Sequence, residues 1–235
     1  MKYFGNGLSD IHKELNSIIR KKDEFEHAKH LFLKLHAKLH LSEASDTGRN
    51  EVDALLQDLS REEYAIMPTG KDETIAWALW HIARIEDLTI NMLVAGKEQL
   101  FNNEWKERLN VSITDTGNAL SDDEIIELSK TINTTELLHY RNEVAKRTRQ
   151  IIHLMAPEDM KRKIAPADLT RILENGGVTK QKDSIWLLDF WAKKDVAGIL
   201  LMPPTRHAML HLNDCCKWKD HIRAGKSCYK AGILT

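Results

Sequence analysis

Residues 72–96 read DETIAWALWHIARIEDLTINMLVAG and form the strongest helical pattern in the chain. Acidic residues stand at the start of this stretch and Gly96 follows its end, as is typical of the two ends of an α-helix. Apolar residues recur through it at helical spacing. The pattern predicts a long, largely apolar helix from Asp72 to about Ala95.

Helical spacing of apolar residues also dominates the rest of the chain, and strand-like alternation is nowhere convincing. Further helical segments are predicted at about residues 8–19, 23–44, 51–59, 134–155, 184–194 and 205–224. Ser121, followed by three acidic residues, predicts another helix start, whereas Pro203-Pro204 predicts a break. We therefore expect an all-α fold, an antiparallel four-helix bundle with extra short helices in the connections. Residues 1–235 are expected to form a single domain, with its bundle core at about 23–222.

Composition narrows the class of protein. Lys and Arg total 34 against 35 Asp and Glu, so the chain lacks the basic excess of a nucleic-acid partner. Its three cysteines are odd in number and form no C-x-x-C, which favours a reducing cytoplasm over a disulfide framework. The N-terminus has no apolar signal-peptide core, and no stretch approaches the ~20 apolar residues of a membrane span.

Two pairs of histidines are spaced four residues apart, His36 and His40 in LKLHAKLHLSE, and His207 and His211 in RHAMLHLND. A helix brings such residues onto one face, where two imidazoles can bind one transition metal ion. The spacing also suits surface histidines or hydrogen-bonded core histidines. Neither pair is an H-E-x-x-H motif, in which the Glu supplies a general base. A metal site would need a third ligand from elsewhere in the fold.

His81 is a candidate for that third ligand. It shares a helix face with Trp77 and Ile85, so its side chain is expected to point into packed protein. A buried imidazole without a partner costs about 1–3 kcal/mol. The partner could be a metal ion, a backbone carbonyl or an acid on a neighbouring helix, and spacing alone favours the last two.

Two carboxylates are candidates for supporting or catalytic roles. Glu86 interrupts an apolar stripe of its helix, so it should have a partner, either a histidine N–H or an arginine. It could orient a ligand histidine, act as a base near bound water, or form a structural ion pair. Asp214 shares the face of His207 and His211 and could be a fourth ligand, a supporting acid or a solvated acid near Lys217. Cys215 could add sulfur or simply fill the core.

The segment TIAWALWHIARIEDLTINMLV, the later RHAMLHLND and the earlier FLKLHAKLH together resemble the DinB-like (DinB/YfiT) superfamily of bacterial helical bundles. The resemblance covers about residues 23–222. It implies a four-helix bundle that holds zinc or nickel through three histidines. Carried over, these are His81 from the second bundle helix and His207 and His211 from the last. His36 and His40 are then expected to line the bundle or simply pack.

The resemblance also implies a class of chemistry. Characterised members are mostly metal-dependent hydrolases or transferases that use low-molecular-weight thiols such as bacillithiol or mycothiol, and many members have no known activity. The connections at 101–120 and 156–202 are longer than a minimal member needs, so they are expected to cover or reshape the pocket. A three-histidine site would leave a position open for water or thiolate.

Two hypotheses follow. In the first, the protein is a metal-dependent hydrolase or thiol S-transferase acting on a small molecule, with Glu86 and Asp214 as supporting groups. In the second, it is a non-catalytic metal- or ligand-binding bundle that forms homodimers.

Four tryptophans are candidates for the pocket lining, although core packing is their usual role: Trp80, Trp105, Trp186 and Trp191.

Overall fold

The structure is a computed structural model that describes residues 7–229. The helices of this range are α1 (Leu8–Ile18), α2 (Phe25–Ala37), α3 (Glu51–Leu56), α4 (Arg61–Tyr64), α5 (Ile75–Glu86), α6 (Asn103–Leu109), α7 (Asp122–Thr131), α8 (Thr134–Leu154), α9 (Pro166–Glu174), α10 (Lys182–Ala192), α11 (Val196–Leu200) and α12 (Ala208–Arg223). Extended pairing within it is limited to an isolated antiparallel bridge between residues 163 and 195. The prediction of an all-α fold is confirmed.

Short 3₁₀ turns and π-helical segments connect some of these helices. The 3₁₀ turns are Lys22–Glu24, Ser42–Ala44 and Pro157–Lys161. A π-helical segment, Asp87–Val94, continues α5, and another, Met202–His207, leads into α12. No helix in the described part of the chain is both long and apolar enough to cross a membrane.

The helix predicted from residues 72–95 lies at the centre of the molecule. Every residue from Ile75 to Val94 is buried, which is the expected fate of a helix that is apolar on nearly all sides. It packs against α7, α8 and α12, and its π-helical continuation packs against α8, α9 and α11. α2 packs against α1 and α8. The side chains of α5 therefore face several neighbours at once, which positions the candidate site.

Polar residues of this central helix are buried as well. Arg84 Nη2 donates to the Thr114 carbonyl at 2.8 Å, and its Nη1 lies 3.1 Å from Asp87 Oδ2. Asp87 accepts from the Tyr140 hydroxyl at 2.6 Å and from the backbone N–H groups of residues 100 and 101. These bonds attach the connection after the central helix to that helix, so its polar residues form a second buried face.

The helix boundaries follow local capping. α5 begins later than predicted, because the Thr74 hydroxyl accepts the Trp77 backbone N–H at 3.1 Å and caps the helix there. The predicted Ser121 cap is confirmed, as a capping box with Glu124. The helix predicted to reach residue 44 ends at Ala37. The Asn50 side chain donates to the carbonyls of residues 37 and 40, at 3.1 and 2.9 Å, and satisfies acceptors at that helix end.

The break predicted at Pro203-Pro204 lies slightly earlier, at Leu201. A helix that the sequence did not indicate, α11, ends at Leu200, and helical turns resume at Met202, before the two prolines. Proline fits there because the first turn of a helix needs no N–H donors. The Thr205 hydroxyl donates to the Leu200 carbonyl at 2.9 Å, which links the two turns.

Candidate metal centre

The structure brings together the three histidines that the resemblance selected. His81 lies on α5, His207 ends the second π-helical segment, and His211 lies on α12. One ring nitrogen of each lies within 4.8 Å of those of the other two. The Nε2 atoms of His81 and His207 are 3.1 Å apart. Two imidazole nitrogens this close require a proton or a cation between them, because two facing lone pairs repel.

The His81 ring is held in one orientation. Its Nδ1–H donates to the Thr116 carbonyl at 2.8 Å, which leaves the Nε2 lone pair directed at His207. The Trp77 ring stacks on the imidazole, with the ring centroids 4.6 Å apart and the planes 10° apart. A carbonyl acceptor on the second ring nitrogen is the usual arrangement of a metal-binding histidine.

A short turn after α6 provides that carbonyl. Trp80, His81 and Trp77 donate to the successive carbonyls of residues 115, 116 and 117, at 3.0, 2.8 and 3.0 Å. Gly117 has a φ of +76°, and a Cβ added there would lie 2.8 Å from Trp77 Nε1, so only glycine fits. The sequence DTGN at residues 115–118 is typical of a turn. Its role in orienting His81 could not be predicted, because it depends on contacts between distant parts of the chain.

Burial keeps all three imidazoles neutral. It lowers the pKa of His81 to about 3, with His211 adding to the effect. Burial, then His81 and His211, lowers the pKa of His207 well below its ordinary value. The pKa of His211 is also lowered by burial, although Asp214 opposes the shift. A neutral imidazole is the form that binds metal ions, so no imidazolium has to be deprotonated at neutral pH.

A cavity of about 570 Å³ opens at the three histidines, a size suited to a small molecule. Its aromatic lining residues are Trp77, Trp186, Phe190 and Trp191, and its acidic ones are Asp72, Glu73 and Asp122. Burial raises the pKa of Glu73, and the nearby carboxylates of Asp72, Asp214 and Asp122 raise it further. Sequence reasoning missed Glu73, because only the fold brings these acids together.

The other two predicted tryptophans lie away from this lining. Trp80 is fully buried and donates to the carbonyl of residue 115, and Trp105 packs against Tyr140 with ring centroids 5.3 Å apart. Trp186 and Trp191 are pocket residues and come from α10, in the long connection expected to cover the site. That connection therefore lines part of the cavity.

Asp214 and Cys215 lie close to the histidines in sequence but are not part of the cavity lining. Asp214 is half-exposed and pairs with Lys217, whose Nζ lies 2.6 Å from its Oδ1. Its effect on the site is electrostatic, through the pKa of His211. Cys215 is fully buried in the core, and burial raises the pKa of its thiol.

Glu86 lies on a different side of α5 and does not line the cavity. Its Oε1 accepts from His36 Nε2 at 2.8 Å and from the Thr148 hydroxyl at 2.7 Å. Its Oε2 lies 3.1 Å from His40 Nε2. The expected histidine partner is therefore present, but it belongs to the other histidine pair, and the structure does not bring Glu86 to the three-histidine cluster.

The fold and the site define an all-helical protein with a three-histidine cluster of metal-binding type. A family model described as the DinB superfamily matches residues 44–193, more than half of the chain. The chain therefore belongs to the DinB superfamily, in which metal dependence is a general property. No curated protein matches the chain. Because the match ends before His207 and His211, the grouping of these residues with His81 rests on the geometry.

Proposed function

We propose that this protein is a divalent-metal-dependent enzyme that acts on a small molecule, with His81, His207 and His211 as the metal ligands. The observation that carries the proposal is the convergence of three neutral imidazoles on one wall of a cavity. The ligands of a tetrahedral zinc ion bound through nitrogen lie about 3.3 Å apart, given metal–nitrogen distances of about 2.0–2.1 Å. The 3.1 Å between His81 and His207 is close to that spacing.

Zinc or nickel fits this donor set, because imidazole is a good ligand for both ions. When bound, such an ion would lower the pKa of a water molecule towards ~7 or hold a thiol as its thiolate. Three protein ligands leave a coordination position for either molecule. The proposed activities are therefore hydrolysis and transfer of a small thiol.

The remaining tasks fall to residues of the chain itself. The Thr116 carbonyl and the Trp77 ring orient His81. The two tryptophans of α10 provide apolar surface in the cavity. Glu73 is the candidate for holding or releasing a proton there, since its raised pKa brings it closer to neutral pH. Asp214 acts through His211, and Glu86 acts through its hydrogen bond to His36, which links α5 to α2.

We also infer that α2, α5, α8 and α12 are the four long helices of a bundle. α5 packs against α8 and α12, and α2 packs against α8. The candidate ligands come from two members of this set and from the segment that leads into α12. A bundle of this kind commonly builds its metal site from side chains on facing helices.

The first test is elemental analysis of purified full-length protein. His207→Ala together with His211→Ala should lower the bound zinc or nickel by about one equivalent per chain, because two of three ligands are lost. His139→Ala with His153→Ala is the matched control, since both are exposed on α8, and it should leave the metal content unchanged. An unchanged metal content in the first double variant would overturn the proposal.

A spectroscopic arm of the same test separates the two activities. Cobalt-loaded wild-type protein is titrated with small thiols while its absorption is recorded. A thiolate-to-cobalt charge-transfer band that is missing in the His207→Ala, His211→Ala variant would support the transferase. Cobalt spectra insensitive to every thiol would favour the hydrolase.

A further inference from the structure

A second group of potential metal ligands lies on another side of α5. His36 on α2 and His40, three residues after the end of that helix, meet Glu86, and one ligand atom of each lies within 4.8 Å of the other two. All three residues are at most 2% exposed. Glu86 follows His81 by five residues, a rotation of about 140° around the helix. α5 therefore supplies a third donor to each of the two histidine pairs.

The contacts within this group leave polar atoms unpaired. His40 Nε2 lies 3.1 Å from Glu86 Oε2, but the contact is not aligned as a hydrogen bond. That nitrogen and the Nδ1 atoms of His36 and His40 have no hydrogen-bond partner within residues 7–229. Buried polar atoms are seldom left in this state, so His40 Nε2, which faces Glu86, is available to a ligand.

The charge states are those of a metal-binding group. Burial lowers the pKa of His40 to about 3, against the opposing effect of Glu86, so its ring is neutral and carries a lone pair. Burial raises the pKa of Glu86, but His40 and His36 outweigh this and lower it well below its ordinary value. One oxygen of the carboxylate is directed at each histidine.

We propose that His36, His40 and Glu86 form a second site, for a divalent transition-metal ion bound by two imidazoles and one carboxylate. Two histidines and one carboxylate are an established donor set for such ions, iron(II) among them. Since all three side chains are buried away from the cavity, the ion is structural and joins α2 to α5.

Arg141 sets the strength of this site. It is fully buried, its guanidinium donates to the Leu39 carbonyl, and its charge acts on both Glu86 and His40. The guanidinium already offsets the charge of Glu86, so it opposes the entry of a dication. The second site is therefore expected to bind metal more weakly than the three-histidine site and to fill after it.

The experiment isolates the second site in the full chain. The variant carrying His207→Ala and His211→Ala is unfolded, refolded in the presence of cobalt(II) and then desalted. Refolding is needed because the folded site is closed to solvent. We expect close to one equivalent of cobalt, with visible absorption bands, and a melting temperature several degrees above that of protein refolded without metal. Less than a tenth of an equivalent in a variant that is helical by circular dichroism overturns the proposal, leaving a hydrogen-bonded cluster only.

A matched pair of substitutions assigns the ligands. Added to the same variant, Glu86→Gln removes a proposed ligand and should lower cobalt affinity at least tenfold, whereas Glu143→Gln, on the exposed face of α8, should not. If the Glu86 variant fails to fold, X-ray absorption of the parent variant decides instead. Two imidazoles and a carboxylate around cobalt support the site, and any other ligand set overturns it. The three-histidine site is absent from this experiment, so failure here leaves the proposed function standing.

Discussion

At the scale of single residues, the candidate metal centre depends on the fixed orientation of the His81 imidazole. His81 donates to the Thr116 carbonyl and stacks on Trp77, whose own ring N–H donates to the next carbonyl in the same turn. The turn can approach this closely because residue 117 has no Cβ. A candidate metal ligand is thus oriented by the backbone of the loop between α6 and α7. The spacing of apolar residues along a helix does not predict such a contact.

This arrangement predicts a large effect of Gly117→Ala. A non-glycine residue at positive φ costs about 1–2 kcal/mol, and here the added Cβ would also meet Trp77. We expect a loss of about 2–4 kcal/mol in the free energy of unfolding, measured with urea, together with weaker metal binding. Gly96→Ala is the control, because Gly96 also has a positive φ of 63° but no atom lies within 4 Å of its Cβ position. Equal losses in the two variants would contradict the close-packing argument.

At the scale of secondary structure, α5 is the element on which the others depend. It is buried on all sides, and its polar residues form internal pairs rather than a solvated face. Asp87 alone accepts from Tyr140, Asn91 and two backbone N–H groups while facing Arg84. The connection that leads to the turn at residues 115–118 is therefore fixed to the same helix that carries His81.

Asp87→Ala should accordingly destabilise the protein strongly. Removing one partner of a buried ion pair leaves Arg84 uncompensated, at a cost of about 3–5 kcal/mol. Glu158→Ala is the comparison, because Glu158 forms an exposed pair with Lys22, which solvent screens and which should contribute little to stability. Urea unfolding of the two variants checks the difference, and similar losses would argue against a buried network.

At the scale of the whole molecule, the near-zero formal charge of −1 conceals an uneven distribution. Carboxylates collect at the cavity, while His36, His40 and His81 are buried and His207 and His211 are partly buried. Burial lowers the pKa of both His81 and His40 to about 3, from an ordinary value of 6.5. The unfolded chain, in which these residues are hydrated, binds protons that the folded chain does not.

The metal-free protein should therefore lose stability as the pH falls. The stabilisation associated with the neutral histidines is complete above about pH 6.5 and is lost as the pH falls towards 3, because protons bind the unfolded state in that window. Urea unfolding of metal-free protein at pH 7 and pH 5 measures the change. His81→Gln, which removes one of the two groups, should show a smaller loss, and a pH-independent stability in wild type would contradict the burial effect.

Most of the secondary structure could be predicted from the sequence, because helix spacing and caps such as Ser121 are local signals. Local signals failed at α11 and at Pro203, where contacts between neighbouring turns decide the path of the chain. The candidate ligand set His81, His207 and His211 was predicted from the family pattern, not from spacing, since His36 and His40 have the same spacing.

The sequence by itself determined that the protein is helical, that its central helix is buried, and which family it belongs to. Only the tertiary structure decided which side of that helix faces which histidine pair. Because this helix is buried on all sides, its own sequence does not single out one face, so packing places His81 beside His207, 126 positions along the chain, and Glu86 beside His36. The same packing brings Glu73 and the turn at 115–118 to the site, because residues far apart in sequence meet only when the core closes.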